Sequence, residues 1–145
     1  MRTFIGTMAV ALALPAMAAA GDGVKLSDFD GDFDDATFAI ETAIVGEGLV
    51  IDYVSHVGTM LNRTKGDVGG AKDLFDNANV FLFCSASLSR KVMEADPQNI
   101  AFCPYSIFVT DSGGKVQIGY REMPEGPMQE VEALLEKIVA EAAEG

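Results

Sequence analysis

Two apolar runs, Val80–Cys84 and the longer Ile100–Val109, constrain the fold of this 145-residue chain more than any other feature. Such runs, rich in Val, Ile and Phe, read as strands buried on both faces, because a strand with one wet face alternates apolar and polar residues. Asp111-Ser112-Gly113-Gly114 then supplies a tight turn. Lys115–Arg121 returns from it as a hairpin partner, with Val116, Ile118 and Tyr120 at every second position. The chain is thereby committed to a sheet that needs cover on both sides, from helices on one and from a second copy or an apolar ligand on the other.

The rest of the pattern supplies helices and further strands. Asp32 caps a helix whose first turn carries Asp34 and Asp35, both favourable at the positive end of the helix dipole. Phe33, Ala36, Ile40, Ala43 and Ile44 recur at helical spacing, and Gly46 and Gly48 end the run. Leu49–Val57 reads as a strand, with Leu49, Ile51, Tyr53 and Val57 on one face and Val50, Asp52, Val54 and His56 on the other. Gly58–Asn79 reads as a loop with short helical turns around Ala71–Asp76, and Leu88–Glu94 as a short helix. Gly126 and Pro127 open a last helix striped by Val131, Leu134, Leu135 and Ile138. With a further strand at Val24–Phe29, the order predicts an α+β domain: one mainly antiparallel sheet with helices packed on one face.

Met1–Ala20 has the form of a secretory signal. Arg2 gives the positive start, Phe4–Leu14 an uncharged apolar run, and Ala16-Met17-Ala18 or Ala18-Ala19-Ala20 a small-residue cleavage site. Cleavage predicts a single domain, 21–145, in the periplasm or outside the cell. No later segment approaches the roughly 20 apolar residues of a membrane-spanning helix. Loss of Arg2 takes the formal net charge from −12 to −13, with 22 acidic residues present. That balance opposes binding to nucleic acid or anionic lipid, which need cationic surface, and favours cations or basic partner proteins.

Chemistry, if any, has few residues to use. Cys84 closes one apolar run and Cys103 sits in the next, and three readings stay open for them: unpaired buried thiols, a structural disulfide, or a functional thiol for redox or ligand binding. They form no CxxC motif. His56, the single histidine, is the one imidazole available; with Cys84 and Cys103 it would complete a Cys2His set for a soft metal or a haem iron, were the three to converge. Asp28, Asp30 and Asp32 alternate like the start of a calcium loop, but Gly31 is misplaced and no Glu closes the motif. Gly66–Lys72 lacks the Ser or Thr that follows the lysine of a phosphate loop, and no hydrolase triad with its elbow glycines is present.

From Asp32 to about Arg121 the chain resembles the family called domain of unknown function 302. The resemblance rests on Phe33–Gly48 as a helix ending in Gly, on Ile51–His56 as the next strand, and on Val80–Cys84 with a short helix ending near Ala95-Asp96-Pro97. Its most specific part is a cysteine at each end of that crossover, Cys103 lying in Ile100-Ala101-Phe102-Cys103-Pro104. It implies one curved sheet with helices on one side, homodimerisation and no agreed activity. The chain departs from the family pattern over Gly58–Asn79 and at Tyr105, where asparagine is common.

These observations together predict an exported, non-enzymatic module that binds a small ligand or a periplasmic partner near Cys84, Cys103 and His56 and acts as a homodimer. The alternative is a thiol redox or metal- or haem-binding accessory that uses the two cysteines.

Overall fold

A computed structural model describes residues 23–144; the signal sequence predicted at Met1–Ala20 lies outside them. The order is β1 (Val24–Asp28), α1 (Phe33–Gly46), β2 (Val50–Ser55), α2 (Val57–Thr64), β3 (Asn77–Cys84) and α3 (Ala86–Ala95), then a 3₁₀ segment (Pro97–Phe102), β4 (Tyr105–Ser112), β5 (Lys115–Arg121) and α4 (Gln129–Glu144). The strands form one five-stranded sheet in the order β1-β5-β4-β3-β2, antiparallel at every junction. The expected α+β class is the observed one.

Helix α1 starts where the capping residue stands. Asp32 takes the backbone N–H of Asp35 on its carboxylate at 2.9 Å, and Ala36, Ile40, Ala43 and Ile44 turn inward. Helix α4 turns in Val131, Leu135, Ile138, Val139 and Ala142. Both lie against one sheet face, where Phe81, Phe83, Ile107, Val109 and Ile118 are fully buried. Each such side chain contributes roughly 1.5–3 kcal/mol, so this layer outweighs the exposed ion pairs, each worth about 0–1 kcal/mol. Val92 of α3 joins the same core, and Lys91 of α3 pairs with Glu130 of α4 at 2.7 Å.

The structure corrects four expectations. The strand read at Leu49–Val57 is shorter, and its register shifts between Ile51 and Tyr53, so the alternation breaks at Asp52: Ile51 and Val54 pack against the core while Tyr53 is 63% exposed. A bulge flips the side-chain parity beyond it. Gly58–Asn79 is not mainly loop, because α2 occupies its start and packs on β3 closely enough that a Cβ on Gly58 would meet the backbone N of Ala78 at 2.5 Å. Ile100–Val109 is not one strand. Asp96 accepts the N–H of Gln98 at 2.9 Å, Pro97 takes the first helical position, and residues 97–102 coil, leaving Ile100 63% exposed. The strand begins only at Tyr105, after a cis Cys103–Pro104 peptide.

The fourth correction concerns burial. On β3 and β4 the large fully buried side chains lie on the helix-covered face; of those pointing the other way, Ala78, against which α2 packs, is buried, while Val80, Leu82 and Phe108 are half-buried. Gly119 shows how tightly that second face is still built: a Cβ there would collide with the ring end of Phe108 and lie 2.7 Å from the carbonyl oxygen of Lys25.

Candidate functional site at the thiol pair

Cys84 ends β3 and Cys103 follows the 3₁₀ segment, so the crossover that leaves the sheet at one cysteine re-enters it beside the other. Their sulfurs lie 2.9 Å apart as free thiols, both partly buried. Strand pairing brings this about: Phe83 faces Tyr105 across β3 and β4, which sets Cys84, the last residue of β3, beside the segment that leads into β4.

The crossover helix contributes a polar chain beside them. Ser85 caps α3 by accepting the N–H of Leu88 at 3.4 Å, and one turn on the Ser89 hydroxyl lies 2.9 Å from the Tyr105 hydroxyl and 3.9 Å from Cys103 Sγ. Tyr105 is 1% exposed and sits edge-on to Phe83, ring centres 6.4 Å apart, so Ser89 satisfies a phenol that water cannot reach. Burial raises the Tyr105 pKa despite that hydrogen bond.

Burial also pushes the Cys84 thiol up to about 12, assisted by its contact with Cys103 and the charge of Asp52 and opposed by the backbone N–H of Tyr105. A thiol held that high is protonated at neutral pH and is a poor nucleophile. The two sulfurs stand within reach of each other, while Cys84 offers no ready thiolate for attack on another molecule.

His56 does not join them. It precedes α2 and shares a hydrogen bond between Nδ1 and Asn79 Oδ1 at 2.9 Å. Asn79 is five residues before Cys84 on the same strand, which at about 3.3 Å per residue puts the imidazole on the order of 17 Å from the thiols. The Cys2His set is not formed: among the described residues no group of three or more His, Cys, Asp and Glu side chains is placed to hold a metal. Ser89 and Tyr105 are the neighbours that sequence reasoning missed. The signal was present in Ser85 and Ser89, one helical turn apart inside the crossover bounded by the cysteines.

Comparison with known proteins agrees with this architecture. The family model described as "Domain of unknown function DUF302" matches residues 24–144. The chain is similar in fold to the crystal structure of an uncharacterized conserved DUF302 protein from Bacillus stearothermophilus, with a TM-score of 0.62 and 16% identity over 86% of this chain and 98% of that one. No curated protein matches.

Proposed function

The chain belongs to the DUF302 family, and we propose that it is an exported, non-catalytic binding or accessory module that works as a homodimer through the sheet face turned away from α1 and α4. The Met1–Ala20 pattern supports export. The observation that carries the dimer is the apolar surface left on that face: Leu26 is 56% exposed, Tyr53 is open, and Val80, Leu82 and Phe108 are half-buried between them. Apolar patches of this kind on a small domain mark interaction sites.

The ability of one apolar face to match itself favours a second copy as the partner. Register puts Arg121 and Asp28 on this same face, at opposite ends of the β1–β5 pair. Arg121 has no ion pair among the described residues. A two-fold axis running across the strands lays the Arg121 end of one subunit over the Asp28 end of the other; Asp28 is already shared with Lys115 at 3.3 Å, so the match between copies rests mainly on the apolar centre of the patch. Light scattering of the mature protein at micromolar concentration tests this. Twice the mature mass, reduced to one in Leu26→Glu, supports the reading; a monomeric wild type overturns it.

A second reading is favoured by the 2.9 Å approach of Cys84 and Cys103. In an oxidising compartment the two S–H bonds give way to one S–S bond, with two protons released and two electrons passed to a disulfide-bearing oxidant by thiol–disulfide exchange. The raised Cys84 pKa makes this a slow fastening of the crossover rather than a catalytic cycle. Quantifying free thiols in protein isolated from the periplasm, with and without reductant, separates the bridged from the free pair.

A further inference from the structure

On the helix side of the sheet, away from the thiols, α1 and the end of α4 frame an open cavity of about 650 Å³. That volume falls within the roughly 300–1,000 Å³ of small-molecule sites. The space exists because the helices present small residues to each other there, Ala39, Ala43 and Gly46 on α1 and Ala142 on α4. Phe29 forms one end, its ring lying over Gly31, where a Cβ would come within 2.6 Å of Phe29 Cε1. Phe38 stands at the wall with 71% of its surface exposed, an aromatic ring not used by the core.

Charge selects the occupant. Asp30, Asp35 and Glu141 line the cavity and no basic side chain does. Glu141 has Lys137 at 3.7 Å, but that lysine is held more closely by Glu47 at 2.5 Å. Asp30 and Asp35 have no ion pair among the described residues. An anion would meet three carboxylates; a neutral apolar molecule would leave them unused. A cation with an apolar body uses the whole lining, its charge against the carboxylates and over the Phe38 ring, its body against the alanines and Phe29.

We propose that the cavity between α1 and α4 binds a small organic cation, an amine carrying an aromatic or aliphatic body. The proposal rests on the reading of the chain as a binding module and gives that module its ligand class, but it requires neither the dimer nor the thiols.

The test is a titration of the full mature protein with tryptamine and, as its anionic counterpart of similar shape, indole-3-acetate, followed by calorimetry and by amide shifts. Tryptamine should bind at least about tenfold more tightly than indole-3-acetate, with shifts centred on Phe38 and Ala142. Asp30→Asn with Asp35→Asn should weaken tryptamine by about tenfold with only a small drop in the unfolding midpoint, from the loss of Asp35 at the α1 dipole. Thr42→Trp, placed on the exposed rim, should abolish binding by filling the cavity. Equal binding of the two probes, tryptamine binding that survives Thr42→Trp, or none at millimolar concentration overturns the proposal. Light scattering in parallel keeps the failures apart: a dimer that ignores tryptamine retires the cavity site alone, and a monomer that binds it retires the sheet-face dimer alone.

Discussion

Cys84 Sγ and Cys103 Sγ meet at 2.9 Å although nineteen positions separate them, because β3 and β4 are antiparallel neighbours and the crossover between them starts at one cysteine and ends at the other. The contact is a property of topology rather than of local sequence. It ties the end of one central strand to the start of the next, at the edge of a core that holds Phe83 and Tyr105.

Oxidation should therefore stabilise the fold. Closing a loop of this length contributes roughly 3 kcal/mol by restricting the unfolded chain. Cys84→Ala is expected to lower stability by about 2–5 kcal/mol under oxidising conditions and by much less in reductant. Denaturant unfolding with and without reductant measures the difference; equal losses in both would show that the thiols never bridge.

The Ser89–Tyr105 hydrogen bond makes a separate prediction. Ser89→Ala leaves the buried Tyr105 hydroxyl without a partner and should cost about 1–3 kcal/mol, whereas Tyr105→Phe removes the orphan with the bond and should cost about 0.5–1.5 kcal/mol. The double variant should be less destabilised than the two single losses added together. A strictly additive cycle would mean that the hydroxyls are satisfied elsewhere.

How far these features could be read from the sequence depended on whether a local signal existed. Helix α1 was legible because Asp32 caps it, the acidic residues sit in its first turn and the apolar residues keep a 3.6 period. The hairpin of β4 and β5 was legible from its glycine turn. Helix α2 was not: Val57, Met60 and Leu61 do stand at helical spacing, but His56 gives the helix no side-chain cap and Val57 reads as the end of the preceding strand, which breaks the short stripe. The 3₁₀ segment was masked by the apolar letters Ile100, Ala101 and Phe102, which outweighed the Asp96-Pro97 start signal in a reading by hydrophobic run. The bulge at Asp52 leaves no mark in the letters at all. For the candidate site, both cysteines were visible and their closeness followed from pairing the flanking strands. His56 was grouped with them because it is the lone imidazole, and only the register, which sets Ser55 opposite Val80, shows that it belongs to the far end of β3.

Export predicts a mass. The secreted protein should lack about twenty N-terminal residues, as removal of a signal requires. Intact-mass measurement of periplasmic material reads this directly; a full-length cytosolic product would contradict it.

The alkaline limb of the stability curve tests the site most specifically. The Cys84 thiol titrates near 12 in the folded protein, against 9.0 for an unperturbed thiol, with burial as the leading cause. A folded pKa above the unfolded one means that the unfolded chain loses its proton first, so the stabilisation is complete below pH 9 and drains away as pH climbs toward 12. Reduced protein should show this loss on top of the general alkaline decline, to which Tyr105 and Tyr120, both raised by burial, also contribute. Disulfide-bonded protein and reduced Cys84→Ala, having no thiol at position 84 to ionise, should show a shallower fall over the same range. Thermal unfolding of the three forms across this window makes the comparison, and identical slopes would mean that the thiol environment around Cys84 is not the buried one described.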